Sequence, residues 1–208
     1  MVVDDHAIVR EGLLALLQRQ NGISVIGSVA TGGEAVLGAR HWGPDVIIMD
    51  LLLPDLNGID AARRILGEFP QIRIIALSAC ETPKHVYRAL RAGVRGYVVK
   101  AAAGSELIQA IHEVSAGKQF ISPSITAKFT EGSLDMSISD SLYESLSDRE
   151  RQVLRGIVAG SSSAEIAKHL SLSRKTIDTY RSRLMLKLGV SNRSALIRFA
   201  IEHELIFP

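Results

Sequence analysis

The 208-residue sequence has one cysteine, Cys80, and almost no net charge, +2 from 24 Lys/Arg and 22 Asp/Glu. It also lacks any stretch of the roughly 18 apolar residues that a membrane-spanning helix needs. A single cysteine excludes an internal disulfide and fits a reducing, cytoplasmic setting. Lying in an apolar segment, Cys80 reads as a core residue rather than a nucleophile. The acids Asp4 and Asp5 stand where the apolar segment of a secretory leader would be, so no signal peptide is expected. At 47% hydrophobic and 22% charged, the rest is ordinary globular composition.

The small net charge hides an asymmetry. Residues 1–122 carry 12 basic and 12 acidic side chains, residues 123–145 one and four, and residues 146–208 eleven and six. Any nucleic-acid partner is therefore expected to meet the C-terminal segment.

Short apolar runs recur at Val2–Val3, Ile23–Val29, Val46–Met49, Ile72–Leu77 and Tyr97–Val99. Between them apolar residues fall at helical spacing, as in Ile8, Leu13, Leu16 and Leu17. Continuous apolar strands alternating with helices predict a doubly wound α/β domain with a five-stranded parallel sheet covered on both faces. Its last helix carries Leu107, Ile108, Ile111 and Val114. From Ser122 the sequence turns polar and Ser-rich, which predicts a linker over 122–145 containing at most a short helix at Ile125–Phe129. The expected division is a first domain over 1–121, this linker, and an all-α domain over 146–208. In the latter, Ser147 with Glu150 makes a capping box, Ser173 caps a third helix, and Gly160 and Gly189 terminate helices.

Chemistry gathers at the predicted strand ends. Asp4 and Asp5 follow the first strand, Asp50 ends the third, Ser78 the fourth and Lys100 the fifth. In an open parallel sheet those ends share one rim. A lone Asp after a strand is more often a capping group, but the joint occurrence at four strand ends is not explained that way. Three carboxylates repel one another and call for a hard dication such as Mg2+. One of them can then attack a phosphoryl donor to form an acyl phosphate, with Lys100 and the metal neutralising the phosphoryl oxygens and Ser78 hydrogen-bonding one of them.

The segments Val2–His6, Met49–Gly58, Leu77–Ala79 and Gly96–Lys100 resemble the receiver-domain motifs of response regulators, over about residues 1–118. The resemblance implies a flavodoxin-like receiver in which a histidine kinase phosphorylates Asp50. It implies that Asp5, Asp50 and the Leu52 carbonyl bind Mg2+ directly, that Asp4 acts through water, and that Ser78 and Lys100 hold the phosphate. Tyr97 becomes the aromatic switch that follows Ser78 inward. Family members usually carry several more residues before the acidic pair, so a longer natural start is expected. Haloacid-dehalogenase-type phosphatases also use an Asp after a strand, but they need a second Asp two residues on, where this chain has Leu52.

In the basic segment, Arg174, Lys175, Arg181, Arg183 and Lys187 share one helix, while Ile177, Leu184 and Leu188 form its apolar stripe. Such a helix, buried on one side and basic on the other, suits a major groove. The segments Leu146–Leu154, Glu165–Ala167, Leu172–Arg181 and Lys187–Val190 resemble the LuxR-type helix-turn-helix of NarL/FixJ regulators. The resemblance makes the Ser173-capped helix the recognition helix. Lys175, Asp178, Thr179 and Ser182 are then expected near base edges, Thr176, Arg181 and Lys187 near phosphates, and Arg174 also on the DNA-binding face. Asp178 alternatively pairs with Arg174 or Arg181. The last helix, with Ile197, Ala200 and Ile201, resembles the family's dimerisation helix.

The whole reads as a two-component regulator rather than an enzyme. A histidine kinase, Mg2+, paired half-sites of double-stranded DNA and a second copy of the chain are its expected partners, with no membrane. The alternatives are DNA binding independent of phosphorylation and a phosphate-sink module. Leu52, two residues after Asp50, and Cys80, two after Ser78, cannot polarise an attacking water. Self-dephosphorylation is therefore predicted to be slow. Acid-labile phosphate should persist for many minutes after the donor is removed, and loss within seconds contradicts this.

Overall fold

The computed structural model describes residues 1–131, 143 and 145–202, and the chain divides into two compact units, Met1–Leu134 and Asp135–Pro208. Among the described residues, no helix is long and apolar enough to cross a membrane.

The first unit is a parallel sheet of β1 (Val2–Val3), β2 (Ser28–Val29), β3 (Val46–Asp50), β4 (Arg73–Ser78), β5 (Gly96–Val99) and β6 (Phe120–Ile121), in the order β2-β1-β3-β4-β5-β6. It therefore has six strands where the apolar runs predict five. The extra strand pairs Gly96 with Phe120 and Tyr97 with Ile121. Two residues are too few to show strand periodicity, so β6 is invisible to pattern reading. The second strand is also shorter than the run Ile23–Val29, because its partner β1 offers only Val2 and Val3 for pairing.

Side chains alternate across the sheet as strand geometry requires. Ile47, Met49, Ile74, Ala76, Tyr97 and Val99 enter one core, under α2 (Gly32–Trp42), α3 (Gly58–Glu68) and α4 (Pro83–Arg91). Ile48, Ile75, Leu77 and Val98 enter the other, under α1 (Ala7–Gln18) and α5 (Ala103–Ser115). The start of the expected linker is ordered. Pro123–Glu131 forms α6, and Ile125 is fully buried in the Tyr97 core.

Two backbone approaches shape the site end of the sheet. A Cβ at Gly58 would lie 2.1 Å from the Asp50 carbonyl oxygen, so only glycine lets α3 start directly over the end of β3. In the same loop Asp55 accepts hydrogen bonds from Gly32 N and Gly33 N, both 2.8 Å, fastening the β3–α3 loop to the start of α2. A carboxylate there also meets the positive end of the helix dipole.

The second unit contains α7 (Asp148–Val158), α8 (Ser163–Leu170), α9 (Arg174–Lys187) and α10 (Arg193–Glu202) around a core that includes Val153, Leu154, Ile166, Ile177, Leu184 and Leu196. The Ser147/Glu150 capping box is formed, and Ser162/Glu165 makes a second one at α8. Ser173 caps α9 through Thr176 N, and Gly160 and Gly189 follow their helices with φ of 86° and 67°. The expected last helix, with Ile197, Ala200 and Ile201, is α10, and residues 203–208 lie outside the described residues.

Candidate functional site

At the strand ends, Asp4, Asp50 and Ser78 are fully buried, while Asp5 is exposed. The Lys100 ammonium lies 2.7 Å from Asp50 Oδ2 and 2.9 Å from Asp4 Oδ2, tying the ends of β1, β3 and β5 together. Asp50 Oδ1 accepts from Leu52 N at 3.0 Å. Asp4 Oδ1 accepts from His6 N at 2.8 Å, and the Asp4 carbonyl accepts from the Arg10 guanidinium at 2.7 Å.

Electrostatics at this rim are unbalanced. Burial pushes the Asp50 carboxyl above its usual range, and the Leu52 amide and Lys100 only partly offset it, while Asp4 adds repulsion. Burial also opposes the charge on Lys100, but bonds from Asp50 and Asp4 outweigh it and hold the ammonium above its usual range. Two buried carboxylates thus share one ammonium.

One oxygen of this set is conspicuous. Asp4 Oδ2 is buried without a directed hydrogen bond, having only the charge contact with Lys100. One donor atom each from Asp4, Asp5, His6 and Asp50 lies within 4.8 Å of all the others. A net-negative, oxygen-rich cluster of this kind fits a hard dication. His6 lies in the first motif with no role implied for it, and nothing in the strand pattern signals where its ring lies.

Beside the carboxylates, Ser78 Oγ accepts from Cys80 N at 3.1 Å. Tyr97 is fully buried, its hydroxyl donating to the Cys80 carbonyl at 2.8 Å, and burial raises its phenol. The aromatic ring therefore lies inward, against the loop that follows Ser78. Cys80 is not a core residue as expected. It stands in the loop beyond β4, partly exposed, because the apolar run ends at Leu77. Its sulfur is 3.3 Å from both Thr82 Oγ1 and His85 Nδ1. Leu52 lies next to Asp50 with its side chain exposed.

Ile177 and Leu184 on α9, and Leu188 directly after it, are buried, and Arg174, Lys175, Thr179, Ser182, Arg183 and Lys187 are exposed. Thr179 Oγ1 donates to Lys175 O and Ser182 Oγ to Asp178 O, both 3.0 Å. Thr176 bonds Ser173 Oγ at 2.8 Å. Three of the expected contact residues, Asp178, Arg181 and Lys187, are engaged within the unit. Asp178 pairs with Arg181 at 3.3 Å and accepts from Ser163 at 3.1 Å, and Lys187 reaches the buried Glu150 at 2.7 Å and Ser145 O at 3.0 Å. Arg174, Lys175, Thr179 and Ser182 remain on the open face.

Residues 1–112 match the response regulator receiver domain, and residues 144–200 match the bacterial regulatory proteins of the luxR family. The response regulator GacA of Pseudomonas protegens is 38% identical over 206 residues, 99% of this chain and 96% of GacA. A LuxR-family two-component response regulator from Aurantimonas is 39% identical, covering 63% of this chain and 94% of its own, with a TM-score of 0.61. RcsB of Salmonella enterica serovar Typhimurium, bound to a promoter in the presence of the phosphomimetic BeF3−, is 29% identical over 95% of both chains, with a TM-score of 0.59.

The raised Asp50 carboxyl has a consequence for stability. Between the usual 3.8 and the raised value, the folded chain binds more protons than the unfolded one. Without metal, stability therefore falls as pH rises through that window and stays lower above it. Asp50→Asn should remove this burden and raise the melting temperature of the metal-free first unit at pH 7 by roughly 3–8 °C in calorimetry. A fall of that size would mean that the Lys100 ion pair outweighs the burial cost.

Proposed function

The chain belongs to the response regulators with a LuxR-family DNA-binding domain, and from that premise we propose that phosphorylation of Asp50 controls how the second unit binds promoter DNA. The observation that carries this reading is the buried Asp50 carboxylate, held at the sheet rim between the Leu52 amide and the Lys100 ammonium.

The chemistry follows from the side chains. An Asp50 oxygen attacks the phosphorus of a kinase phosphohistidine or a small acyl phosphate. The bond to the donor breaks, and the donor group leaves with its electron pair. Lys100, freed from part of its ion pair as the Asp50 charge moves outward, follows the phosphoryl oxygens. Ser78 turns its hydroxyl to another of those oxygens. Asp5, Asp50 and the Leu52 carbonyl would hold Mg2+, with Asp4 acting through water. The ion supplies charge neutralisation at the phosphoryl oxygens when bound.

Ser78 and Tyr97 meet at Cys80, since Ser78 accepts from the Cys80 amide and Tyr97 donates to its carbonyl. A Ser78 drawn to phosphate thus disturbs the loop that holds Tyr97, which biases the β4–α4 surface between two arrangements. The protein acts in the cytoplasm as a regulator whose only covalent chemistry is its own phosphorylation. The receiver takes in residues 1–121, the linker 122–145 begins with α6, and 146–208 binds DNA as a homodimer reading paired half-sites. Arg174, Lys175, Thr179 and Ser182 face the groove, whereas Asp178, Arg181 and Lys187 serve first to hold α9 on its unit. The likeness to RcsB over 95% of both chains supports promoter binding under phosphorylation control, since that relative is bound to a promoter with a phosphomimetic present.

The test is fluorescence anisotropy on genomic fragments selected with the BeF3−-treated protein. Affinity should rise roughly tenfold or more with BeF3−. Lys175→Ala should weaken binding and flatten its salt dependence by about one unit of slope if Lys175 meets a phosphate, or relax base preference if it meets a base edge. Equal affinity with and without BeF3− would favour a regulator that works by concentration alone, and absence of DNA binding would favour a phosphate sink.

A further inference from the structure

We propose that the middle of α9 reads DNA with acceptors alone: Asp178, Thr179 and Ser182 select base edges that carry an exocyclic amine, cytosine or adenine, and reject guanine and thymine. The inference rests on the second unit binding DNA through α9 and concerns which bases that face accepts.

The hydroxyl protons decide it. Thr179 Oγ1 lies 3.0 Å from Lys175 O, and Ser182 Oγ lies 3.0 Å from Asp178 O. A backbone carbonyl only accepts, so both hydroxyls donate to their own helix. Both residues are exposed, and what each hydroxyl oxygen has left for an outside group is a lone pair. Asp178 adds a third acceptor. Its Oδ1 is occupied by Ser163 Oγ at 3.1 Å and by the Arg181 guanidinium at 3.3 Å. Those contacts tie the side chain to α8 and set a cation beside it, which offsets the repulsion between a carboxylate and nearby phosphates. Neither contact uses Oδ2, which stays available to a donor on a side chain that is 42% exposed.

Helix geometry gathers the three. Ile177 and Leu184 anchor one side of α9 in the core, and at 100° per residue positions 178, 179 and 182 fall on the opposite side. They span about 6 Å along the axis, roughly two base steps of 3.4 Å. Lys175 lies one turn earlier on the same stripe and supplies a donor there, so the acceptor run is bounded.

Base chemistry completes the argument. In the major groove each base pair carries one exocyclic amine, on cytosine N4 or adenine N6, and guanine and thymine carry an oxygen instead. A carboxylate or a hydroxyl lone pair accepts from the amine and repels the oxygen. A hydroxyl free to turn suits either, and the bonds to Lys175 O and Asp178 O remove that freedom. The face therefore separates amino from keto bases. Cytosine suits Asp178 best, because adenine sets the N7 acceptor beside its amine.

The experiment is selection of random duplexes by the BeF3−-treated full chain, then fluorescence anisotropy on the selected duplex and on copies with single bases replaced. At neighbouring positions, selection should admit cytosine and adenine on one strand and exclude guanine and thymine. Replacing cytosine there by 2-pyrimidinone, or adenine by purine, deletes the amine and should weaken binding roughly fivefold or more. Replacing the opposite guanine by 7-deazaguanine deletes an acceptor and should change binding by less than about twofold. Asp178→Asn presents an amide that offers either edge, so it should admit guanine or thymine at its position. Asp178→Ala should lose the sensitivity to amine deletion there, with thermal melting checking the fold of both variants. Specific binding that is indifferent to amine deletion, or the same sensitivity at every position in Asp178→Ala and Asp178→Asn, would overturn the proposal and leave DNA binding standing. A selection that retains no DNA would overturn the DNA-binding reading and the proposal with it.

Discussion

One ammonium holds the end of the sheet together. Lys100 contacts Asp50 and Asp4 at 2.7 and 2.9 Å, and those carboxylates end β3 and follow β1, the two central strands of the site. Burying two acids side by side is costly without a counter-charge, and removing one partner of such a set leaves an uncompensated charge in a poor dielectric. The arrangement remains short of positive charge, as the raised Asp50 carboxyl records. Under the proposed function, that shortage is what a bound dication would offset at the rim.

The consequences run outward along β5. Lys100 directly follows Val99, and Val99 N donates to Ser122 Oγ at 3.0 Å. Ser122 N donates to Tyr97 O at 2.9 Å, and its hydroxyl donates to Glu106. Ser122 is fully buried and stands at the start of α6, whose Ile125 packs in the core that holds Tyr97. β5, which ends beside Asp50, and the start of α6 are therefore joined by one backbone and one side-chain hydrogen bond. A change at Lys100 or Tyr97 has a short mechanical route to the linker.

Much of this was legible in the sequence, for physical reasons that differ by residue. The apolar runs ending in Asp50, Ser78 and Lys100 declare buried parallel strands, and parallel topology then forces their carboxyl ends to one rim. Capping at Ser147 and Ser173 is local chemistry and reads directly. What depends on tertiary neighbours does not read. β6 is two residues long and exists only because β5 offers an edge. Ser122 looks like linker composition until its hydroxyl is found bridging Val99 and Glu106. Cys80 sits beyond the last core residue of its run, and Lys187, though exposed, also reaches the buried Glu150 of its own unit. Helical position alone cannot distinguish a basic residue facing a groove from one tethered to its own bundle.

The central claim is that Asp50 is the phosphoacceptor of this rim. Intact mass after incubation with acetyl phosphate and Mg2+, on the parent chain and on Asp50→Asn, tests it directly. The account predicts one added phosphoryl group on the parent and none on the variant. An unmodified parent that is well folded, or the same adduct on Asp50→Asn, would contradict it.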